Sequence, residues 1–218
     1  MKKAVIFDMD GLMIDSERVT FEEYEKKLKQ LGYQDFNESL YLQCLGKNKK
    51  GICQVFYDHY GNDFPMEEVW DEVHISIDER LREFVPKKPG LNELLQYLNQ
   101  QGYKVVIATS SSRNRVDEII RCANIEAYID DSICGDEVSH GKPDPEIFLK
   151  ACEKVSVDPL DALVLEDSET GILAAYRGGI DVICIPDMKF PSQKFEAMAT
   201  AIKTSLLDII PILNDKNP

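Results

Sequence analysis

The sequence predicts an α/β fold, a doubly wound parallel sheet with a helical segment inserted after its first strand. Three observations point to it. The apolar run Ala4-Val5-Ile6-Phe7 reads as a buried strand. From Leu91 onward, helical stripes alternate with short β-rich runs, the rhythm of a parallel sheet with crossover helices. Residues 14–86 keep a helical period throughout and offer no compelling strand.

The elements follow in order. A first strand over residues 3–8 runs into Asp8-Met9-Asp10-Gly11. Ser16 then caps a helix reaching about Leu31, with Val19, Phe21, Tyr24, Leu28 and Leu31 at partly helical spacing and Gly32 ending it. Residues 36–84 continue in helical patterns carried by Leu40, Leu45, Val55, Phe56, Val69, Val73, Ile77 and Leu81. Gly46, Gly51 and Asn62-Asp63-Phe64-Pro65 punctuate them, and Pro86-Lys87-Lys88-Pro89-Gly90 closes the insert. Leu91, Leu94, Leu95 and Leu98 form the next helical stripe, Gly102 ends it, and Lys104–Ala108 is a buried strand. A helix over 114–123 leads to a short strand near Ser132-Ile133-Cys134, and Asp144-Pro145 supplies an N-cap and first-turn pair for another helix. The strand Ala162–Leu165, a helix from Ser168 to about Arg177 stopped by Gly178-Gly179, and the strand Asp181–Ile185 complete the pattern. Residues 1–13 and 87–218 are thus expected to form one core, with 14–86 inserted.

With 218 residues and ordinary globular composition, the chain has enough material for a full core. A net charge of −14 disfavours nucleic acid and anionic membrane surfaces as partners, because both require extended positive fields. No apolar run approaches a spanning helix, and Met1-Lys2-Lys3 leads into a short strand instead of a secretory segment, so a cytoplasmic location is expected. Cys44, Cys53, Cys122, Cys134, Cys152 and Cys184 form no C-x-x-C pair and read as reduced, packed thiols. The histidines His59, His74 and His140 are too scattered for a zinc site or a histidine triad.

Four segments at predicted strand ends carry reactive groups. Asp8 and Asp10 stand where an open α/β sheet binds its ligands. Thr109-Ser110-Ser111-Ser112 brings hydroxyls and backbone N–H groups to a helix start, a natural phosphate cradle. Gly141-Lys142-Pro143-Asp144-Pro145 holds a lysine on a proline-stiffened loop, and Glu166-Asp167-Ser168 supplies two more acids suited to Mg²⁺. Each alone has an ordinary explanation as a turn, a cap or a surface charge. Together they place an acid pair, a cradle, a fixed cation and a second acid pair at the carboxyl ends of one sheet.

In these four motifs, taken in order and spanning essentially the whole chain, the sequence resembles the haloacid dehalogenase superfamily. It is most similar to the β-phosphoglucomutase-like branch of sugar-phosphate phosphatases and mutases, through Asp8-Met9-Asp10-Gly11, Gly141-Lys142-Pro143-Asp144-Pro145 and Glu166-Asp167-Ser168-Glu169-Thr170-Gly171-Ile172. The resemblance implies a Rossmann-like core and a small helical cap over 14–86. It also implies a Mg²⁺-dependent phosphatase acting on a small phosphomonoester, a sugar phosphate, through an aspartyl phosphate; dehalogenation is disfavoured by Asp10. Asp8 would be the nucleophile, Asp10 the acid and base, and Ser110 and Lys142 would complete the catalytic set. Asp8, the Asp10 carbonyl and Asp167 would hold the metal, with Glu166 supporting it through water. Gly11, the Ser111 N–H, Asn114 and Lys49 would face substrate. Within the cationic loop Gly46-Lys47-Asn48-Lys49-Lys50-Gly51, Lys49 stands where the mutases carry a cap arginine, and Thr20 where they carry a cap histidine. Both departures favour a phosphatase over a mutase, the second reading, with a catalytically weak phosphate-binding protein as the third. The expected partner is a small phosphate ester bound by a monomer.

Overall fold

The computed structural model describes residues 2–215. Along the chain the elements are β1 (Ala4–Phe7), α1 (Ser16–Gln30), α2 (Glu38–Tyr41), α3 (Lys49–Tyr60), α4 (Met66–Glu83), α5 (Leu91–Gln101), β2 (Lys104–Ala108) and α6 (Arg113–Cys122). There follow β3 (Asp131–Ile133), α7 (Glu146–Lys154), β4 (Ala162–Glu166), α8 (Glu169–Arg177), β5 (Asp181–Cys184), α9 (Gln193–Glu196), β6 (Ala201–Ile202) and α10 (Ile209–Asp215). The chain divides into two compact units, one of residues up to Asp15 together with Val85 onward, the other Ser16–Phe84.

The first unit is built on a parallel sheet in the order β3-β2-β1-β4-β5-β6. This is the doubly wound order, with β1 at the centre, where the direction of winding reverses and ligands bind. All four residues of β1 and all five of β4 are buried, as central strands covered on both faces require. Alternate residues Ala4, Ile6, Val106, Ala108, Ala162, Val164, Val182 and Cys184 share one cluster with Ile147, Phe148, Ala151 and Cys152 of α7 and Ile172, Ala174 and Ala175 of α8. Strand period two and helix period 3.6 thus meet on one face of the sheet. The stripe Leu91, Leu94, Leu95 and Leu98 on α5 is fully buried, and Gly102 ends that helix in the left-handed region at φ +75.

Register sets the site. Phe7 pairs with Ile107 on one side and Leu165 on the other. Asp8, Ala108 and Glu166 therefore stand at one level, each the next residue along its strand. Parallel pairing continues past Phe7, where the Asp8 N–H donates to the Leu165 carbonyl at 3.0 Å.

Most predicted boundaries shift by one or two residues, for local reasons. The helix expected to open at Asp144-Pro145 runs from Glu146, with Pro145 already in helical geometry and the Asp144 side chain accepting the Glu146 N–H at 3.0 Å as an N-cap does. The sequence pattern ended at the fifth strand, whereas the chain adds β6 and α10. β6 spans Ala201–Ile202 and is too short to show a period, yet it is fixed by Thr200 N–H to Val182 carbonyl and Lys203 N–H to Cys184 carbonyl bonds, both 2.8 Å.

The second unit is helical. Val69, Val73, Ile77 and Leu81 form an i, i+4 stripe on α4, and Val19, Tyr24 and Leu28 are the buried apolar residues of α1. Arg80 of α4 donates to Glu22 at 2.5 Å and Glu23 at 3.3 Å on α1. Phe21, Phe36, Phe56 and Phe64 form a chain of rings with centroids 5.5–5.9 Å apart. The expected cationic loop is half helix. Lys49-Lys50-Gly51 is the first turn of α3, because Asn48 caps it by accepting the Gly51 N–H at 3.0 Å. All six cysteines are free thiols, five of them buried. Among the described residues, no helix is long and apolar enough to cross a membrane.

Candidate active site

The common level of three strand ends is read by one side chain. Lys142, only 5% exposed, donates to Asp8 Oδ1 at 2.6 Å, Glu166 Oε1 at 2.6 Å and the Ala108 carbonyl at 3.1 Å. Its three protons go to β1, β4 and β2, one each, and the ammonium lies 4.8 Å from the centre of the Phe148 ring. Burial lowers the pKa of the ammonium, but Asp8 and Glu166 outweigh it, and the net direction is upward. Asp8 is the harder group to keep ionised. Burial pushes its carboxyl up to about 7; Lys142 works against that shift and Glu166 adds to it.

Glu166 is fully buried at the end of β4. Its Oε2 accepts the N–H groups of Asp167 and Ser168, both at 3.0 Å, and the Ser168 hydroxyl at 2.9 Å. Ser168 in turn caps α8 by accepting the Gly171 N–H at 3.1 Å. The Glu166 carboxylate therefore organises the turn that presents Asp167. Only glycine fits at position 171, because a Cβ there would overlap the Glu166 carboxyl group.

Gly11 occupies the left-handed region at φ +83, and a Cβ on it would stand 2.5 Å from Asp167 Oδ2 and 3.4 Å from Asp187 Oδ2. Its absence lets the turn after β1 approach the two acids. This is a packing role that the sequence reading, which led to substrate contact, did not include.

Asp10 is held on both oxygens. Ser111 Oγ donates to Oδ2 at 2.7 Å and Arg115 to Oδ1 at 3.2 Å. The expected phosphate cradle is arranged differently from the sequence reading. The Ser111 N–H donates to Thr109 Oγ1 at 3.1 Å, a local side-chain turn, and the Arg113 N–H at the start of α6 donates to Asp136 at 3.1 Å. An acid from the loop after β3 thus meets the helix end where an anion was expected. Ser110 and Asn114 are exposed. Lys49 belongs to the helical unit, paired with Glu67 at 2.9 Å and 5.1 Å from the centre of the Trp70 ring.

The structure therefore brings Asp8, Lys142 and Glu166 into direct contact, sets Gly11 against Asp167, and joins Asp10 to Ser111. Residues given no site role by the sequence reading are Arg115, Asp136, Lys88 and Asp187. Lys88 donates to Asp187 Oδ1 at 2.5 Å across 99 positions of sequence, which no local signal could reveal. Asp8, the Asp10 carbonyl and Asp167 offer only oxygen, the donor chemistry of a hard divalent cation such as Mg²⁺. Asp187 Oδ2, buried and without a hydrogen-bond donor among the described residues, adds to that fit.

The sequence matches the model of the haloacid dehalogenase-like hydrolase family over residues 5–185. It is 32% identical to the phosphorylated carbohydrates phosphatase of Thermotoga maritima over 181 residues, 83% of each chain. It is 31% identical to (DL)-glycerol-3-phosphatase 1 of Arabidopsis thaliana, covering 95% of this chain and 71% of that one. Among solved structures, that of a protein described as a putative β-phosphoglucomutase from Thermotoga maritima superposes with a TM-score of 0.81 at 30% identity, covering 99% of both chains.

Proposed function

This chain belongs to the haloacid dehalogenase-like hydrolase family, and on that premise we propose a Mg²⁺-dependent phosphatase that hydrolyses a small sugar phosphate through an aspartyl phosphate. The observation that carries this reading is the Asp8–Lys142–Glu166 cluster, a buried carboxylate fixed at the central strand end and flanked by an all-oxygen donor set. When bound by Asp8, the Asp10 carbonyl and Asp167, Mg²⁺ supplies positive charge to the nucleophile and the phosphate.

The residues divide the work. Asp8 forms the bond to phosphorus, and the ester oxygen leaves with the proton that Asp10 delivers. Asp10 then removes a proton from the water that attacks the aspartyl phosphate, and Asp8 is released with inorganic phosphate. Ser111 and Arg115 aim the Asp10 carboxylate, while Lys142 orients Asp8 and balances part of its charge. Glu166 keeps Lys142 and the Asp167 turn in place. The helical unit Ser16–Phe84 serves as the cap that reads the leaving group. Its two connections are pinned side by side within the core unit, where the Asp15 N–H donates to the Pro86 carbonyl at 2.8 Å.

Two observations favour water over a sugar hydroxyl as the acceptor. The Thr20 hydroxyl donates to the Ser16 carbonyl of its own helix at 2.9 Å, and a threonine has no proton to shuttle near neutral pH. Lys49 is already neutralised by Glu67, which weakens its grip on a second phosphate. The two phosphatases named above act, by their descriptions, on phosphorylated carbohydrates and glycerol 3-phosphate, the same ester class.

Phosphate release across a panel of sugar phosphates, glycerol phosphate and nucleotides tests the reading. A sugar or polyol phosphate is expected to be the best substrate, with Asp8→Asn slower by on the order of 10⁴–10⁶-fold, as for other nucleophile deletions. With β-glucose 1-phosphate and a glucose 1,6-bisphosphate primer, inorganic phosphate is expected to exceed glucose 6-phosphate. Turnover by Asp8→Asn at a comparable rate would overturn the covalent mechanism, and rapid accumulation of glucose 6-phosphate would replace phosphatase with mutase.

A further inference from the structure

Asp187 lies two residues past the level of Asp167, beyond the end of β5. Glu166 pairs with Cys184, and the Ile185 N–H continues the ladder to the Glu166 carbonyl at 2.7 Å. The Asp187 side chain is 9% exposed. One oxygen is engaged, since Oδ1 accepts from the Lys88 ammonium at 2.5 Å. The other, Oδ2, is buried and meets no hydrogen-bond donor among the described residues. It points at the bare Cα of Gly11, to which Asp167 Oδ2 also turns, so that a Cβ there would stand 3.4 Å from the first and 2.5 Å from the second. Two carboxylate oxygens therefore converge on one spot beside the turn that follows the nucleophile.

A buried carboxylate oxygen without a donor is unfavourable, and a second acid turned to the same place makes it more so. Lys88 does not resolve this, because its bond is to Oδ1 and its other acidic neighbour, Asp15, is 3.8 Å away. Lys142 is occupied by Asp8, Glu166 and the Ala108 carbonyl. What suits Oδ2 is a proton donor of the kind a hard cation carries. Mg²⁺ takes few protein carboxylates and keeps several of its waters, each of which is a strong donor.

We propose that Asp187 belongs to the divalent-cation site as an outer acceptor, its Oδ2 receiving a hydrogen bond from a cation-bound water while Lys88 holds Oδ1 and so aims the group. This rests on the reading that Asp8, the Asp10 carbonyl and Asp167 bind a divalent cation, and it adds a further carboxylate, from beyond the end of β5, that the motifs do not contain. Such outer partners fix the orientation of the inner ones and set affinity. The Lys88 tether also joins this acceptor to the segment that returns from the helical insert. The Lys88 N–H donates to the Met13 carbonyl at 2.9 Å, so the insert's two connections and the acceptor form one hydrogen-bonded unit.

Titration calorimetry with Mg²⁺ alone, in the absence of substrate, tests this on the full chain. Asp187→Asn is expected to weaken Mg²⁺ binding by about 10–100-fold, because the amide keeps its oxygen on Lys88 and turns N–H toward the site. The double variant Lys88→Met with Asp187→Asn removes the ion pair without stranding either charge and leaves the net charge unchanged. It is expected to fold, by its metal-free thermal melt, and still to lose about 10-fold or more in Mg²⁺ affinity. If the double variant melts like the parent protein and binds Mg²⁺ within twofold of it, Asp187 is only a partner for Lys88 and the proposal fails. Asp167→Asn separates that failure from failure of the underlying reading. Loss of binding in Asp167→Asn alone leaves the cation site standing without Asp187, whereas no Mg²⁺ binding by the parent protein removes both.

Discussion

Gly171→Ala is the smallest change that strikes the centre of the site without touching a reactive group. Gly171 sits in the first turn of α8, where alanine would ordinarily stabilise the helix by about 1 kcal/mol. Here the added methyl overlaps the Glu166 carboxyl group, which is fully buried and gripped by Lys142, the Asp167 and Ser168 N–H groups and the Ser168 hydroxyl. Either the helix shifts outward or the carboxylate leaves its donors. Overpacking a tight interior costs about 1–3 kcal/mol. Pulling a buried carboxylate from its partners costs about 3–5 kcal/mol. Against the helical gain of about 1 kcal/mol, the balance is a loss of up to about 2 kcal/mol if the helix shifts and of about 2–4 kcal/mol if the carboxylate leaves, set against the 5–15 kcal/mol typical of a whole domain. The assay is urea unfolding of the metal-free protein followed by far-ultraviolet dichroism. Gly32→Ala is the control, since Gly32 has a positive φ of +92 but nothing within 4 Å of the new methyl, so only backbone strain of about 1–2 kcal/mol is expected. A Gly171→Ala protein as stable as its parent would show that Glu166 is not packed as described, and would undo the account of how Lys142 and Asp167 are positioned.

Two further substitutions test the charges themselves. Lys142→Met leaves Asp8 and Glu166 facing each other without a cation, so activity should vanish and stability should fall by about 3–5 kcal/mol at pH 8. Burial already holds the Asp8 carboxyl above its ordinary value and Lys142 opposes that, so the penalty of losing Lys142 is complete above the folded value and should shrink as pH falls toward 4; a pH-independent loss in urea unfolding would refute the electrostatic cause. Asp10→Asn should slow sugar phosphates, whose leaving oxygen needs a proton, far more than aryl phosphates, whose leaving groups do not; equal losses in kcat/KM on both classes would give Asp10 a structural role instead.

The sheet and the site were legible to different depths. Strands such as Ala4–Phe7 and Ala162–Leu165 announced themselves because a central parallel strand is buried on both faces and so is apolar throughout. Asp8 and Glu166 were legible as the first acids at the ends of those runs, and the register makes that reading geometric by placing them on one level. Lys142 could be suspected from its stiffened loop, but not that a single ammonium would serve three strands. The helix N-terminus after Ser112 looked open in sequence because its cap, Asp136, comes from a separate loop after β3. Gly11 was expected to face substrate and Gly171 entered only as part of the Glu166–Ile172 motif, yet at both positions a carboxylate lies against the missing Cβ. Contacts of that kind join segments that are far apart in the chain, and no local period records them.

The arrangement also explains how a chain of net charge −14 can work on an anion. Lys142 and a bound Mg²⁺ were expected together to offset the repulsion between carboxylate and phosphate. In the structure that lysine is committed to Asp8 and Glu166, two negative charges for one positive. Unit charges 4 Å apart interact by about 4 kcal/mol at an effective dielectric of 20, so a phosphate dianion at such a distance from Asp8 meets repulsion of about 8 kcal/mol. Lys142 at a similar distance cancels that, but Glu166 is then unbalanced, and Arg115 is already paired with Asp10. Lys88 is likewise committed to Asp187 and adds no spare positive charge. On the proposed reading Lys142 orients Asp8 and opposes the rise in its pKa, and a divalent charge held by the site's acids supplies the attraction for the substrate.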